Sequence, residues 1–204
     1  MPSTSMLRVD HAGEIAANTI YQAQANVFGL LGDTKTKKMM LDMWDTEKKH
    51  LKVAEMLLAQ HRTRPSALLP VWSLAGKILG AATALIGKEA AMACTEAVET
   101  VIGEHYEDQL VHLRKITTQT PPSPVMDHSQ SARESDTSGP GCPTSGLHPS
   151  LPLLSEVITE FRDDELEHLD TAVEHDAQQA PAHALLSAIV GYGCKGAIQI
   201  AKRL

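Results

Sequence analysis

Glu-x-x-His occurs twice in this chain, as Glu47 and His50 in "WDTEKKHLKVAEM" and as Glu165 and His168 in "FRDDELEHLD". Both stretches lack proline and carry apolar residues at three- and four-residue steps, so both are predicted helices. Residues three apart on a helix face the same side, with Cβ atoms about 5–6 Å apart. Each pair can therefore offer one carboxylate and one imidazole to a single point. One such pair is most simply a solvated pair of helix residues. Two pairs constrain the fold, because a shared site requires both helices in one bundle, at the same level.

The remaining segments are also helical. Leu7 to Leu31 ends in "GLLGD", with Gly32 as a stop. Thr34 to His61 carries an apolar stripe through Met39, Met40, Met43, Trp44, Leu51, Ala54 and Leu58. Leu68 to Cys94 is apolar nearly all round, and its only charges are Lys77, Lys88 and Glu89. Its longest uncharged run is short beside the ~20 residues of a bilayer span. It therefore reads as a buried crossover helix or as a segment lying in a membrane interface. A polar-faced helix is expected from about Ile86 to Ile116, another from Leu151 to about Gln178, and a last one from Pro181. Thr117 to Ser150 is rich in Ser, Thr, Pro and Gly and poor in aliphatic side chains, so it is expected to be a disordered surface loop. His128, Cys142 and His148 fall in it. The whole chain, 1–204, reads as a single domain interrupted by that loop.

Depth along the helices selects two more carboxylates. If the chain turns at Gly32, Glu47 and His50 lie at the level of residues 14 to 17 on the preceding helix, roughly 25 Å from the turn. Glu14 is there, beside Ala12, Gly13, Ala16 and Ala17, small residues that suit close packing. If the third polar helix ends near Ile116 and the fourth begins near Leu151, Glu165 and His168 face residues 99 to 102. Glu99 is there, with Glu96 one turn away as an alternative. Four carboxylates and two imidazoles from four helices are the di-iron or di-manganese pattern of ferritin-like bundles. Oxygen donors with a few imidazoles suit those metals better than zinc. The fold class is thus all-α: a ferritin-like four-helix bundle with a long apolar crossover and a C-terminal extra helix.

Other side chains are weighed around this set. Tyr106 stands two turns past Glu99 on the same face and could hydrogen-bond a ligand. His175 has the same relation to His168, with a plain surface position as the alternative. His105 points to a different side from Glu99, and His11 lies near the helix start. Asp163 and Asp164 are solvated charges or partners of a ligating imidazole. The net charge of −7 disfavours a general nucleic-acid partner. The three cysteines, Cys94, Cys142 and Cys194, show neither zinc-site spacing nor a disulfide framework. "MPSTSMLRVD" has no signal or transit pattern, and no Gly-rich dinucleotide motif is present.

The segments "RVDHAGE", "WDTEKKH", "LLPVWSLAGKILGAATALIGKEAAMACTEAVETVIGEHY" and "FRDDELEHLDTAVEHDAQQAPA" resemble the 5-demethoxyubiquinone hydroxylases of ubiquinone biosynthesis. The wording around Glu99 and Glu165 is similar to that of fungal members. The resemblance covers most of the chain outside the Ser/Pro-rich loop, which is longer than usual for the family. It implies a di-iron monooxygenase that uses O₂ to hydroxylate the ring of a polyprenyl demethoxyquinone. Its ligands would be Glu14, Glu47, His50, Glu99, Glu165 and His168. It further implies peripheral association with the matrix side of the mitochondrial inner membrane and a lipid-binding partner protein. The sequence leaves the bridging carboxylates open, with Glu99 and Glu165 as candidates. NADH is a candidate reductant, and the quinone tail is expected along Leu69, Trp72, Leu79 and Leu85. A non-catalytic quinone- or lipid-binding scaffold and a ferritin-like ferroxidase are the competing functions.

Overall fold

The computed structural model describes residues 4–119 and 150–204. They form six α-helices: α1 (Thr4–Leu30), α2 (Thr34–Gln60), α3 (Leu69–Ile86), α4 (Lys88–Gln119), α5 (Ser150–Glu174) and α6 (His183–Ala201). The expected ferritin-like helical architecture is the one observed. The two ends of the Ser/Pro-rich stretch differ from expectation: α4 continues through Gln119, and α5 begins at Ser150. His128, Cys142 and His148 lie outside the described residues.

Chain reversals sit where the backbone chemistry allows them. Gly32 takes φ 79° between α1 and α2, a left-handed value that costs glycine little. Asp33 then caps α2, its side chain accepting from Thr36 N at 3.0 Å. Gly87, at φ 149°, separates the crossover helix from α4, so the expected start near Ile86 becomes Lys88. After α5, Asp176 at φ 72° turns the chain into a 3₁₀ turn at Ala177–Gln179. This turn shortens the fourth expected helix. Ala182, at φ 51°, delays the last helix from Pro181 to His183.

Helix α1 packs on α2 and on α3, and α4 packs on α5 and α6. On α2 the buried stripe is Thr36, Met40, Met43, Glu47, His50, Ala54 and Leu58. The charged pair therefore occupies core positions of an ordinary helical period. On α5, Leu151, Leu154, Ile158, Phe161, Glu165, His168 and Ala172 do the same. Apolar clusters close both ends of the bundle. Tyr21, Phe28, Met40, Met43 and Met92 fill one. Leu7, Leu58, Leu110, Leu154 and Phe161 fill the other. Each fully buried Leu, Phe or Met there contributes about 1.5–3 kcal/mol, which offsets the cost of burying polar groups between them.

The crossover helix lies against α1 almost backbone to backbone. A Cβ at Gly76 would stand 2.6 Å from Ala16 O, and one at Gly80 2.9 Å from Ile20 Cα. The opposite face of α3 exposes Val71, Leu74, Ile78, Leu85 and Ile86, and α6 exposes Leu185, Ile189, Tyr192 and Ile200. Both helices are long and apolar enough to cross a membrane by length and composition, and little of either is buried.

Candidate metal centre

Between the two apolar ends lie two overlapping groups of donors. Glu14, Glu47, His50 and Glu165 form one, and Glu47, Glu99, Glu165 and His168 the other. Within each group the donor atoms lie within 4.8 Å of one another. None of the six residues is more than 5% exposed. Glu47 and Glu165 belong to both groups. Glu165 turns Oε1 to within 3.3 Å of His50 Nδ1 and Oε2 to within 3.4 Å of His168 Nδ1. Glu47 Oε1 is 3.1 Å from His168 Nδ1.

These are close approaches without hydrogen-bond geometry. Glu14 Oε2, both oxygens of Glu47, Glu99 Oε2, Glu165 Oε2 and the Nδ1 atoms of His50 and His168 are buried with no hydrogen-bond partner. Buried polar atoms are ordinarily paired. Orphaned atoms converging on two points are the arrangement that cations satisfy. Charge agrees: four carboxylates balance two divalent ions. The donor set is carboxylate-rich with one imidazole for each group and no thiolate, which suits iron or manganese.

The same crowding sets the acidities. Burial, then the charges of Glu47 and Glu165, push the Glu14 carboxyl well above its usual range. Burial, with Glu165 and Glu47, does the same to Glu99. For Glu165 burial acts upward, but the contacts with His168 and His50 outweigh it and bring the carboxyl down to about 2. Burial lowers His168, yet Glu165 and Glu47 more than offset it and raise the imidazole to about 11.

Two tyrosines fix the two lone glutamates. Tyr106 on α4 donates to Glu14 Oε1 at 2.5 Å, and Tyr21 on α1 donates to Glu99 Oε1 at 2.5 Å. Each helix thus carries a glutamate and, seven residues on, a tyrosine that serves the other helix. Sequence reasoning singled out Tyr106 and missed Tyr21, although the seven-residue spacing is the same. It also missed Asn18, which donates to the carbonyls of Glu14 and Glu47, both at 2.9 Å, and accepts from Trp44 Nε1. This bond network locks α1 and α2 in register. Asp164 Oδ2 lies 2.9 Å from His50 Nε2, and the His50 ring stacks on Phe161 at 4.2 Å.

The other residues weighed go elsewhere. Glu96 pairs with His183 at 2.6 Å and belongs to neither donor group. His105 and Gln109 gather on Asp10 Oδ1, at 3.0 and 2.5 Å. His175 Nδ1 donates to Thr171 O at 2.8 Å and bonds none of the six. Asp163 pairs with Arg162, and buried His11 is in neither group.

An apolar cavity of about 80 Å³ lies beside the site among α1, α3, α4 and α6. Gly13, Ala17, Trp72, Val98, Ile102 and Cys194 are on its wall. Leu69 packs near Trp72 in one cluster, and Leu79 packs near Val98 in another. Leu85 turns outward, 67% exposed.

Residues 2–201 match the family of the ubiquinone biosynthesis protein COQ7. The chain belongs to this family. Among its relatives, the mouse protein named NADPH-dependent 3-demethoxyubiquinone 3-hydroxylase, mitochondrial, is 42% identical over 198 residues, 97% of this chain and 76% of the relative. The Saccharomyces cerevisiae 5-demethoxyubiquinone hydroxylase, mitochondrial, is 38% identical over 199 residues, 98% and 77% of the two chains. A 3-demethoxyubiquinol 3-hydroxylase of Rhodospirillum rubrum is 36% identical over 198 residues, 97% and 76%. The family match spans the described helices, all six donor residues and both tyrosines, so it covers the site as well as the scaffold.

Proposed function

We propose that this chain is a di-iron monooxygenase that hydroxylates the ring of a polyprenyl demethoxyquinol with O₂, a step of ubiquinone biosynthesis. The observation that carries the reading is the pair of overlapping buried donor groups. The names of the relatives supply the substrate class.

Glu14 and His50 would hold one iron and Glu99 and His168 the other, with Glu47 and Glu165, which belong to both donor groups, available to each. Glu99, a bridging candidate from the sequence, is terminal in this reading. Its Oε1 is taken by Tyr21, which leaves one oxygen for metal. Glu14 is restricted in the same way by Tyr106. Glu47 and Glu165 are free of such a donor and face both groups. When bound, the ferrous ions supply the electrons that activate O₂.

The protein's own part is to place and shield. Phe161 stacks on His50, and Met43 and Met92 pack in the apolar cluster of Tyr21; together they exclude water, which strengthens every charge interaction inside. The apolar cavity receives the substrate beside α1 and α4. At about 80 Å³ it must widen to take a substituted ring, and the gap between α3 and α6 is where it can. The tail then leaves past Trp72, Leu69 and Leu79. The exposed apolar faces of α3 and α6 rest on the lipid that holds the quinone, with the chain peripheral to the matrix side of the mitochondrial inner membrane. A lipid-binding partner of a ubiquinone-synthesis complex presents the substrate. Overall, the ring C–H, O₂, two electrons and two protons give the ring C–OH and water. A reduced nicotinamide, NADH in the sequence reading and NADPH in the names of the relatives, is the electron source.

The test is anaerobic reconstitution with iron(II), then O₂ and a short-tailed demethoxyquinol, with product followed by mass spectrometry. Metal-loaded protein that yields no hydroxylated ring overturns the enzymatic reading.

A further inference from the structure

The two halves of the site are related by a pseudo-two-fold exchange of α1 with α4 and α2 with α5. Glu14 corresponds to Glu99, Tyr21 to Tyr106, Glu47 to Glu165 and His50 to His168. Both tyrosines obey this symmetry to the ångström. The histidines do not. His50 turns Nδ1 inward and gives Nε2 to Asp164, the residue immediately before Glu165. By the same exchange, Nε2 of His168 should meet the residue before Glu47, which is Thr46. Threonine offers no carboxylate, and no group among the described residues bonds Nε2 of His168.

That difference opens a second way to the site. Between α2 and α5 lies a cleft of about 400 Å³ whose wall includes Thr46, Asp164, Thr171 and His175 and whose buried inner surface includes His168. Asp42 and Glu167 stand exposed on its rim with Lys35 and Lys38. It is on the opposite face of the bundle from the apolar cavity, and α2 and α5 meet over only a short stretch there. A dication cannot cross the apolar cavity without losing its hydration to nothing. The cleft instead offers oxygens and an imidazole in steps. His175 spends its Nδ1–H on the Thr171 carbonyl, which leaves Nε2 as its remaining ring nitrogen.

Resting on the dinuclear reading above, we propose that metal is taken up and released through the α2–α5 cleft, and that the ion held by His168 and Glu99 is the exchangeable one. The ion held by His50 and Glu14 is retained, because Asp164 fixes the His50 ring and raises its basicity. The two ions are therefore unequal by design of the second half-site, not by the ligands themselves, which are the same in kind.

The experiment is chelator extraction. Protein loaded anaerobically with two iron(II) per chain is mixed in a stopped flow with excess chromogenic chelator. Two phases of equal amplitude are expected, about tenfold or more apart, the usual size of a carboxylate effect on a ligating histidine. Thr46→Asp supplies the missing carboxylate and should slow the fast phase about tenfold. Asp164→Asn should speed the slow phase toward the fast one. A single phase for both ions, or two phases that neither variant moves while helicity is retained, overturns the proposal. Where Thr46→Asp does not fold, Asp164→Asn decides alone. Failure of the wild-type chain to bind two ions at all is a different result, and it overturns the dinuclear reading instead.

Discussion

Tyr21 reaches from α1 to Glu99 on α4, its hydroxyl 2.5 Å from Oε1, while the other oxygen of that carboxylate has no partner. A buried phenol that occupies one oxygen dictates which one remains for a ligand. Tyr21→Phe should keep the fold, since the ring still packs with Phe28 and Met40. It should weaken metal binding at the Glu99 half about tenfold. Metal titration followed by calorimetry checks this; an unchanged affinity would mean that the phenol only fills space.

Sharing of carboxylates makes a sharper distinction. Glu165→Ala or Glu47→Ala removes a donor common to both groups and should abolish binding of both ions. Glu14→Ala or Glu99→Ala should leave about one ion per chain, because the other group remains complete. Metal counts on folded protein, with circular dichroism as the control, separate the two outcomes.

Proton linkage follows from the acidities. His168, raised to about 11, is protonated at pH 7, and Glu14 and Glu99 are raised as well. A ligand atom must lose its proton to bind metal. Metal uptake should therefore release at least about one proton per chain at pH 7, and affinity should rise with pH toward the imidazole value. Calorimetry in two buffers of different ionisation enthalpy reads the number of protons directly. The metal-free chain behaves oppositely at low pH. Glu165 is lowered to about 2 from 4.5, so the stability it contributes is present above its unfolded value and is lost as pH falls from about 4.5 to about 2.

Lipid contact is tested on α6. Leu185, Ile189 and Tyr192 are each more than 60% exposed and share one helical face. Replacing all three by Ser removes apolar area without touching the bundle core. Binding to vesicles of phosphatidylcholine and cardiolipin should fall by about tenfold or more, since each side chain is worth at least ~1.5 kcal/mol when buried. Solution helicity should not change. Equal binding by the variant would take the membrane away from this face.

The convergence of Glu14, Glu47, His50, Glu99, Glu165 and His168 was legible in the sequence because helix geometry converts spacing into position. Glu47 and His50 fall on the buried stripe of α2, and depth from a turn then finds Glu14. Tyr106 was legible for the same reason. Asn18, Trp44 and Asp164 were harder to read. Their roles depend on which residue of another helix stands opposite, and that depends on rotation about the helix axis, which periodicity leaves free by tens of degrees. Helix ends moved by a few residues where one backbone angle decided them, as at Gly87 and Ala182. The difference between the outer nitrogens of His50 and His168 is visible only once the two halves are superposed in space.

Close packing of α3 on α1 gives the last prediction, through two glycines with opposite surroundings. A Cβ at Gly80 would press on Ile20 O and stand 2.9 Å from Ile20 Cα, both backbone. Gly80→Ala must push the crossover helix off α1, costing about 1–3 kcal/mol. For a chain of this size that is a fall of roughly 2–4 °C in melting midpoint per kcal/mol. Displacing α1 also moves Glu14 and Tyr21, so metal affinity should drop with stability. At Gly13 a Cβ meets nothing within 4 Å, and alanine is the better helix former by about 1 kcal/mol. Gly13→Ala should therefore leave the midpoint unchanged or raise it. Its added methyl, however, enters the wall of the apolar cavity, so KM for a demethoxyquinol should rise while the metal count stays at about two. A Gly13→Ala protein with both stability and KM unaltered would show that the substrate does not use this cavity.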